Sequence, residues 1–131
     1  PGRIFHVDPE QELERLVVIM LEEVHSRGNG VALFVKEICI LLRRTVLVRD
    51  SEELTSQVEE VLTSLMRRGL IRRRPKRVEG LDRRTATAYI AHTPFSTRYV
   101  DEQLKQVQGG HSEVLIERIH RVIPRASHEE G

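Results

Sequence analysis

The sequence holds one cysteine, Cys39, so neither an intramolecular disulfide nor an all-cysteine metal site can form. It also lacks any apolar run near the roughly 18 to 20 residues that span a bilayer, and its first residues, Pro1-Gly2-Arg3, carry no apolar signal-peptide core. The chain is therefore expected to stay in the reducing cytoplasm, associated with the nucleoid, without a membrane partner. Catalytic signatures are missing as well: there is no phosphate-cradling glycine-rich loop, no nucleophile elbow and no His-Glu-x-x-His zinc helix. Glu117 and His120 have the Glu-x-x-His spacing of di-metal bundles, but no second such motif exists to complete a site. Glu117 paired with Arg121 one turn later on a solvated stripe is the simpler reading. His6, His25, His92, His111 and His128 follow no ligand spacing, so neither an enzyme nor a cofactor is expected.

What is present is a polarised charge distribution. From Arg67 to Arg84, nine basic side chains face only Glu79 and Asp82, a local balance of +7 in a chain whose formal net charge is +1, leaving −6 elsewhere. A cationic segment on an acidic body is the electrostatic footprint of a polyanion-binding surface.

Hydrophobic periodicity places that segment. Asp8-Pro9-Glu10-Gln11 reads as a helix start with Asp8 at the N-cap and Gln11 closing a capping box. Leu13, Leu16, Val17, Met20, Leu21 and Val24 then form one apolar stripe, which Gly28-Asn29-Gly30 ends. Val31-Ala32-Leu33 fits a brief strand before a second helix from Phe34 to Arg44, with core face Phe34, Val35, Ile38, Leu41 and Leu42 and with Cys39 as a small buried thiol. A third helix, about 51–68, is expected to open with a capping box at Asp50-Ser51-Glu52-Glu53, to bury Leu54, Val58, Val61, Leu62 and Leu65, and to end at a left-handed Gly69 with Leu70 packing back.

Leu70 to Val78 and Arg84 to His92 alternate as paired strands around the turn Glu79-Gly80-Leu81-Asp82, giving an arginine-rich hairpin. Pro75 confines the first strand to an edge and should shorten it. Helical spacing returns after Thr93-Pro94 and again from Ser112 to Ile123.

The expected fold class is therefore mainly α with a small β-hairpin (α+β). The order of elements is that of a winged helix-turn-helix domain over 1–94, with additional C-terminal helices over 95–131. The run from Val58 to Arg73, with Met66-Arg67-Arg68-Gly69-Leu70-Ile71 at its junction, resembles the recognition helix and strand junction of MarR-like and TrmB-like transcriptional regulators. Asp82-Arg83-Arg84 is similar to a MarR-type wing tip, and Tyr89 followed by Thr93-Pro94 to the end of a TrmB-like wing. The resemblance spans roughly Leu54 to Pro94.

It implies sequence-specific binding of double-stranded DNA and transcription regulation by a homodimer. The third helix would enter the major groove with Ser56, Gln57, Thr63, Ser64 and Arg67 as readers. Arg72, Arg74, Lys76, Arg77, Arg83 and Arg84 of the wing would meet phosphates or the minor groove. The appended helices imply a dimer interface at Tyr99, Val100, Leu104, Val107, Leu115, Ile119 and Val122, the other arrangement being that they fold back on their own domain.

Two features point elsewhere. The link Thr45-Val46-Leu47-Val48-Arg49-Asp50 is long and has no glycine, and Glu59 and Glu60 place carboxylates at the reading face. These support the alternative of a winged helix that binds protein within a transcription, replication or chromosome-organising assembly.

Overall fold

The structure is a computed structural model that describes residues 9–28, 30–45, 47–48, 51–80, 84–106 and 111–123, the side chains of 9–11 and 111–114 excepted. Along the chain run α1 (Pro9–Arg27), α2 (Val35–Thr45), α3 (Leu54–Arg67), β1 (Ile71–Arg77), β2 (Thr85–Ala91), α4 (Phe95–Gln106) and α5 (His111–Val122). This order, three helices followed by an antiparallel hairpin, is compatible with a winged helix and carries two helices beyond it. Among the described residues no helix is long and apolar enough to cross a membrane.

The centre of the molecule is α1. The sequence expectation was one stripe, but Leu16, Val17, Val18, Ile19, Met20 and Leu21 are all buried, so the helix is covered all round over nearly two turns. α3, β2 and α2 pack on it, and so do α4 and α5. Val18 and Ile19 lie off the predicted stripe, yet both are fully buried. α1 starts at Pro9, where the sequence places its first turn; Asp8 and the side chain of Gln11 lie outside the described residues.

Of the residues expected at a dimer interface, Val100, Leu115 and Ile119 are buried in the chain's own core, which is the fold-back arrangement that the sequence left open. Tyr99, Leu104 and Val122 are half-buried against the same core, and Val107 lies outside the described residues. The physical reason is in α1: a helix apolar on every side needs cover on every side, and α4 and α5 are the elements within reach.

Polar contacts fix the appended helices further. Both oxygens of Glu22 accept from the first turn of α4, from Ser96 Oγ at 2.5 Å and Thr97 Oγ1 at 2.6 Å. His120 Nε2 on α5 lies 2.6 Å from Glu23 Oε1, and Arg118 Nη1 donates to the Thr45 carbonyl, one of the unpaired acceptors at the end of α2. Arg121 pairs with Glu117 at 2.9 Å along α5 itself.

α2 begins one residue later than predicted. Phe34 N donates to Glu37 Oε1 at 2.8 Å, the return half of a capping box. Ile38, Leu41 and Leu42 are buried as expected, together with Cys39, whereas Phe34 and Val35 are only half-buried. Thr45 closes the helix, its buried hydroxyl donating to Leu42 O and accepting from Leu47 N.

α3 differs at its start. Ser51 to Glu53 form a turn in which Ser51 Oγ and O accept from Glu53 N and Leu54 N, each at 3.2 Å. Asp50 of the expected capping box lies outside the described residues; Glu53 takes the N-cap position without a side-chain cap, and the helix starts at Leu54. Its end matches the expectation. Gly69 adopts φ +76°, Gly69 N donates to Met66 O and Leu70 N reaches back to Leu65 O, both at 3.0 Å, which is a Schellman motif.

The hairpin register pairs Ile71 with Ala91 and Arg77 with Thr85. Val78 N to Arg84 O and His92 N to Leu70 O mark the even-numbered positions of β1 as hydrogen-bonded pairs. Pro75, opposite Thr87, therefore turns its missing donor to the outer edge, so β1 continues through Pro75 rather than stopping short. Beyond β2, Leu33 and Tyr89 exchange both backbone hydrogen bonds at 2.8 and 2.9 Å, so the brief strand at Val31-Ala32-Leu33 exists as a single-residue bridge.

Candidate nucleic-acid interface

The sequence of β1 sorts its cations by parity. Opposite residues of an antiparallel pair share a face, so Arg72, Arg74 and Lys76 lie with Ile90, Ala88 and Ala86, and Arg73, Pro75 and Arg77 lie with Tyr89, Thr87 and Thr85. At the root of the second face Ile71 and Ala91 enter the main core. On the first face Ala88 and Ile90 form a small separate cluster with Ala32, against which Phe34 packs.

The two sets of cations are treated differently. Lys76 Nζ donates to Ala32 O at 2.6 Å, lies 3.3 Å from Glu37 Oε1 and sits 4.9 Å from the centroid of the Phe34 ring. Arg74 Nη1 donates to Gly30 O at 3.2 Å while staying exposed. Both side chains cross β2 above its alanines, where nothing bulky stands in their way. Arg72, Arg73, Arg77 and Arg84 are exposed, and no carboxylate among the described residues pairs with them. Arg83 lies outside the described residues. Arg73 was not among the sequence candidates; the two-residue period of a strand, applied strictly to Arg77, would have found it.

On α3 the predicted readers also divide. Ser56, Gln57, Thr63 and Arg67 are exposed. The Thr63 hydroxyl donates to Glu59 O at 3.0 Å. Ser64 instead turns toward α1, where its hydroxyl donates to Glu14 Oε2 at 3.5 Å. Its neighbour in that contact is Arg68, which pairs with Glu14 at 2.6 Å and lies 5.5 Å from the centroid of the Tyr99 ring. The Glu14 hydrogen bond raises the Arg68 pKa, and burial, with Glu14 adding, raises that of Tyr99. This cluster joins α1, the end of α3 and α4, so Ser64 serves the interior rather than the outer face.

Carboxylates share the exposed side of α3: Glu59 and Glu60 face solvent, as do Glu52 and Glu53 in the turn before it. The helix is thus weakly anionic and the hairpin strongly cationic. No group of three His, Cys, Asp or Glu side chains able to hold a metal ion occurs among the described residues, and Cys39 is buried with its sulfur 3.8 Å from Thr55 Oγ1. No protein family matches the chain, and no curated protein does either.

Proposed function

We propose that this chain binds double-stranded DNA with its hairpin, α3 lying beside it, in the manner of the MarR-like and TrmB-like winged-helix regulators it resembles, and that it regulates transcription. The observation that carries the proposal is the set of exposed arginines, Arg72, Arg73, Arg77 and Arg84, with no carboxylate partner among the described residues. Arg73 and Arg77 share a strand face, four residues or about 13 Å apart. Like charges at that spacing repel by roughly 0.3 kcal/mol even in water, a cost that a row of phosphates removes. On α3, Arg67 adds a further exposed cation, and the exposed Gln57 and Thr63 would supply hydrogen-bonding groups for base edges.

A fluorescently labelled duplex of random sequence, titrated at several salt concentrations, tests this. Each neutralised phosphate contributes about 0.9 to the slope of log K against log salt. The double substitution Arg73→Gln and Arg77→Gln should lower the slope by about 1.8, so that fourfold more salt weakens its binding about 12-fold less than it weakens the parent's. Absence of duplex binding even at low salt would refute the proposal. The carboxylates on α3 would then favour the second reading, a protein partner with a basic surface.

A further inference from the structure

The charge count of the hairpin hides a division of labour, and the division rests on where the side chains end. Lys76 is half-buried and touches the chain at three points, all at the start of α2 or in the segment that leads into it: the Ala32 carbonyl, the Glu37 carboxylate and the Phe34 ring. Glu37 is itself held, since its Oε1 also accepts Phe34 N at 2.8 Å. Arg74, one pleat nearer the root, reaches the Gly30 carbonyl. A two-stranded ribbon has little rigidity of its own in water. Here its base is fixed by the buried Ile71, Ala88, Ile90 and Ala91, and beyond Ala88 no apolar side chain of the hairpin is buried among the described residues.

We propose that Lys76 and Arg74 are positioning residues, a brace that sets the angle of the hairpin to α2 and α3, and are not contacts to the duplex. The inference rests on the DNA-binding reading above. It assigns the phosphate contacts to Arg72, Arg73, Arg77 and Arg84, and it explains the alanines of β2 opposite the bracing side chains. Ala88 is fully buried beneath them, and a larger residue there would push Arg74 and Lys76 away from the carbonyls they cross the strand to reach.

The distinction has measurable consequences. A phosphate contact and a brace both weaken binding when removed, but only a phosphate contact changes the salt dependence. If loss of the brace leaves the hairpin correctly oriented one tenth of the time, the apparent affinity falls about tenfold at every salt concentration. Lys76→Met keeps the apolar stem over Phe34 and removes the charge and both hydrogen bonds. It should give a line of log K against log salt parallel to that of the parent and about tenfold lower.

A second variant separates the brace from simple electrostatics by the sign of its effect. Glu37→Ala removes a negative charge beside the hairpin, which on charge alone must strengthen binding to a polyanion. Loss of the brace predicts weaker binding. The amides of Leu33 and Tyr89, which bond each other's carbonyls across the bridge, provide a readout without DNA: their hydrogen exchange should accelerate in Lys76→Met relative to amides in the middle of α1.

A slope reduced by about one in Lys76→Met, with exchange unchanged, would make Lys76 a phosphate ligand and overturn the proposal. Parental affinity and slope in that variant would overturn it too, as would tighter binding by Glu37→Ala. If the unsubstituted protein binds no duplex, the DNA reading fails, while exchange at Leu33 and Tyr89 still decides whether the brace exists.

Discussion

Ile119 on α5 provides the sharpest test of how the molecule is built. Its side chain is 0% exposed and belongs to the core that Leu16, Ile19 and Met20 share with Ile38 and Leu42. Replacing it with alanine removes three carbons, and at roughly 0.8 kcal/mol for each buried carbon the transfer loss is about 2.4 kcal/mol. A residual void on the order of 50 Å³ adds about 1.2 kcal/mol at ~24 cal/mol per Å³, for a total between about 3 and 4 kcal/mol. In a chain of this length that lowers the melting temperature by roughly 10–15 °C.

The assay is thermal unfolding followed by circular dichroism at two protein concentrations a hundredfold apart. Burial within one chain predicts the large Ile119→Ala loss and a midpoint that does not move with concentration. Burial between two chains would instead move the unsubstituted protein's midpoint upward by the equivalent of about 2.7 kcal/mol over that range. A concentration-dependent midpoint, or a loss below about 1 kcal/mol, would refute the placement of α5 on its own chain.

Two further outcomes follow from the charges. Exposed Glu59 and Glu60 on α3 should oppose phosphates, so Glu59→Gln with Glu60→Gln should tighten duplex binding several-fold at low salt and less at high salt; weaker binding, confined to one DNA sequence, would show instead that they accept hydrogen bonds from cytosine. Tyr99 has its phenol pKa raised above the ordinary 10.0, chiefly by burial. Its stabilising contribution is therefore complete below about pH 10 and is lost as the pH rises through the higher folded value. Tyr99→Phe should make the alkaline decline in stability shallower, and urea titrations above pH 10 that show equal declines in both proteins would contradict the assigned burial.

The local elements were legible because each rests on a local rule. Gly69 needs a left-handed backbone after α3, and the Schellman bonds at Met66 and Leu65 follow from that residue alone. Alternation from Leu70 onward predicts the hairpin, whereas the length of β1 depended on which way Pro75 turns its nitrogen, a matter of register with β2. The capping pattern at Asp50 to Glu53 was ambiguous for a similar reason, since a serine that can cap a helix can equally accept from the amide two residues on, as Ser51 does.

The candidate interface was legible as charge but not as geometry. Sequence alone determined the order of helices and strands, the cationic segment and the positions that must be apolar, because propensity, periodicity and charge act over a few neighbouring residues. Only the tertiary structure decided that α4 and α5 close over α1, that Ser64 and Arg68 belong to Glu14, and that Lys76 belongs to Ala32 and Glu37. These outcomes join residues 39 to 97 positions apart, and a long flexible side chain takes whichever partner the fold brings within reach.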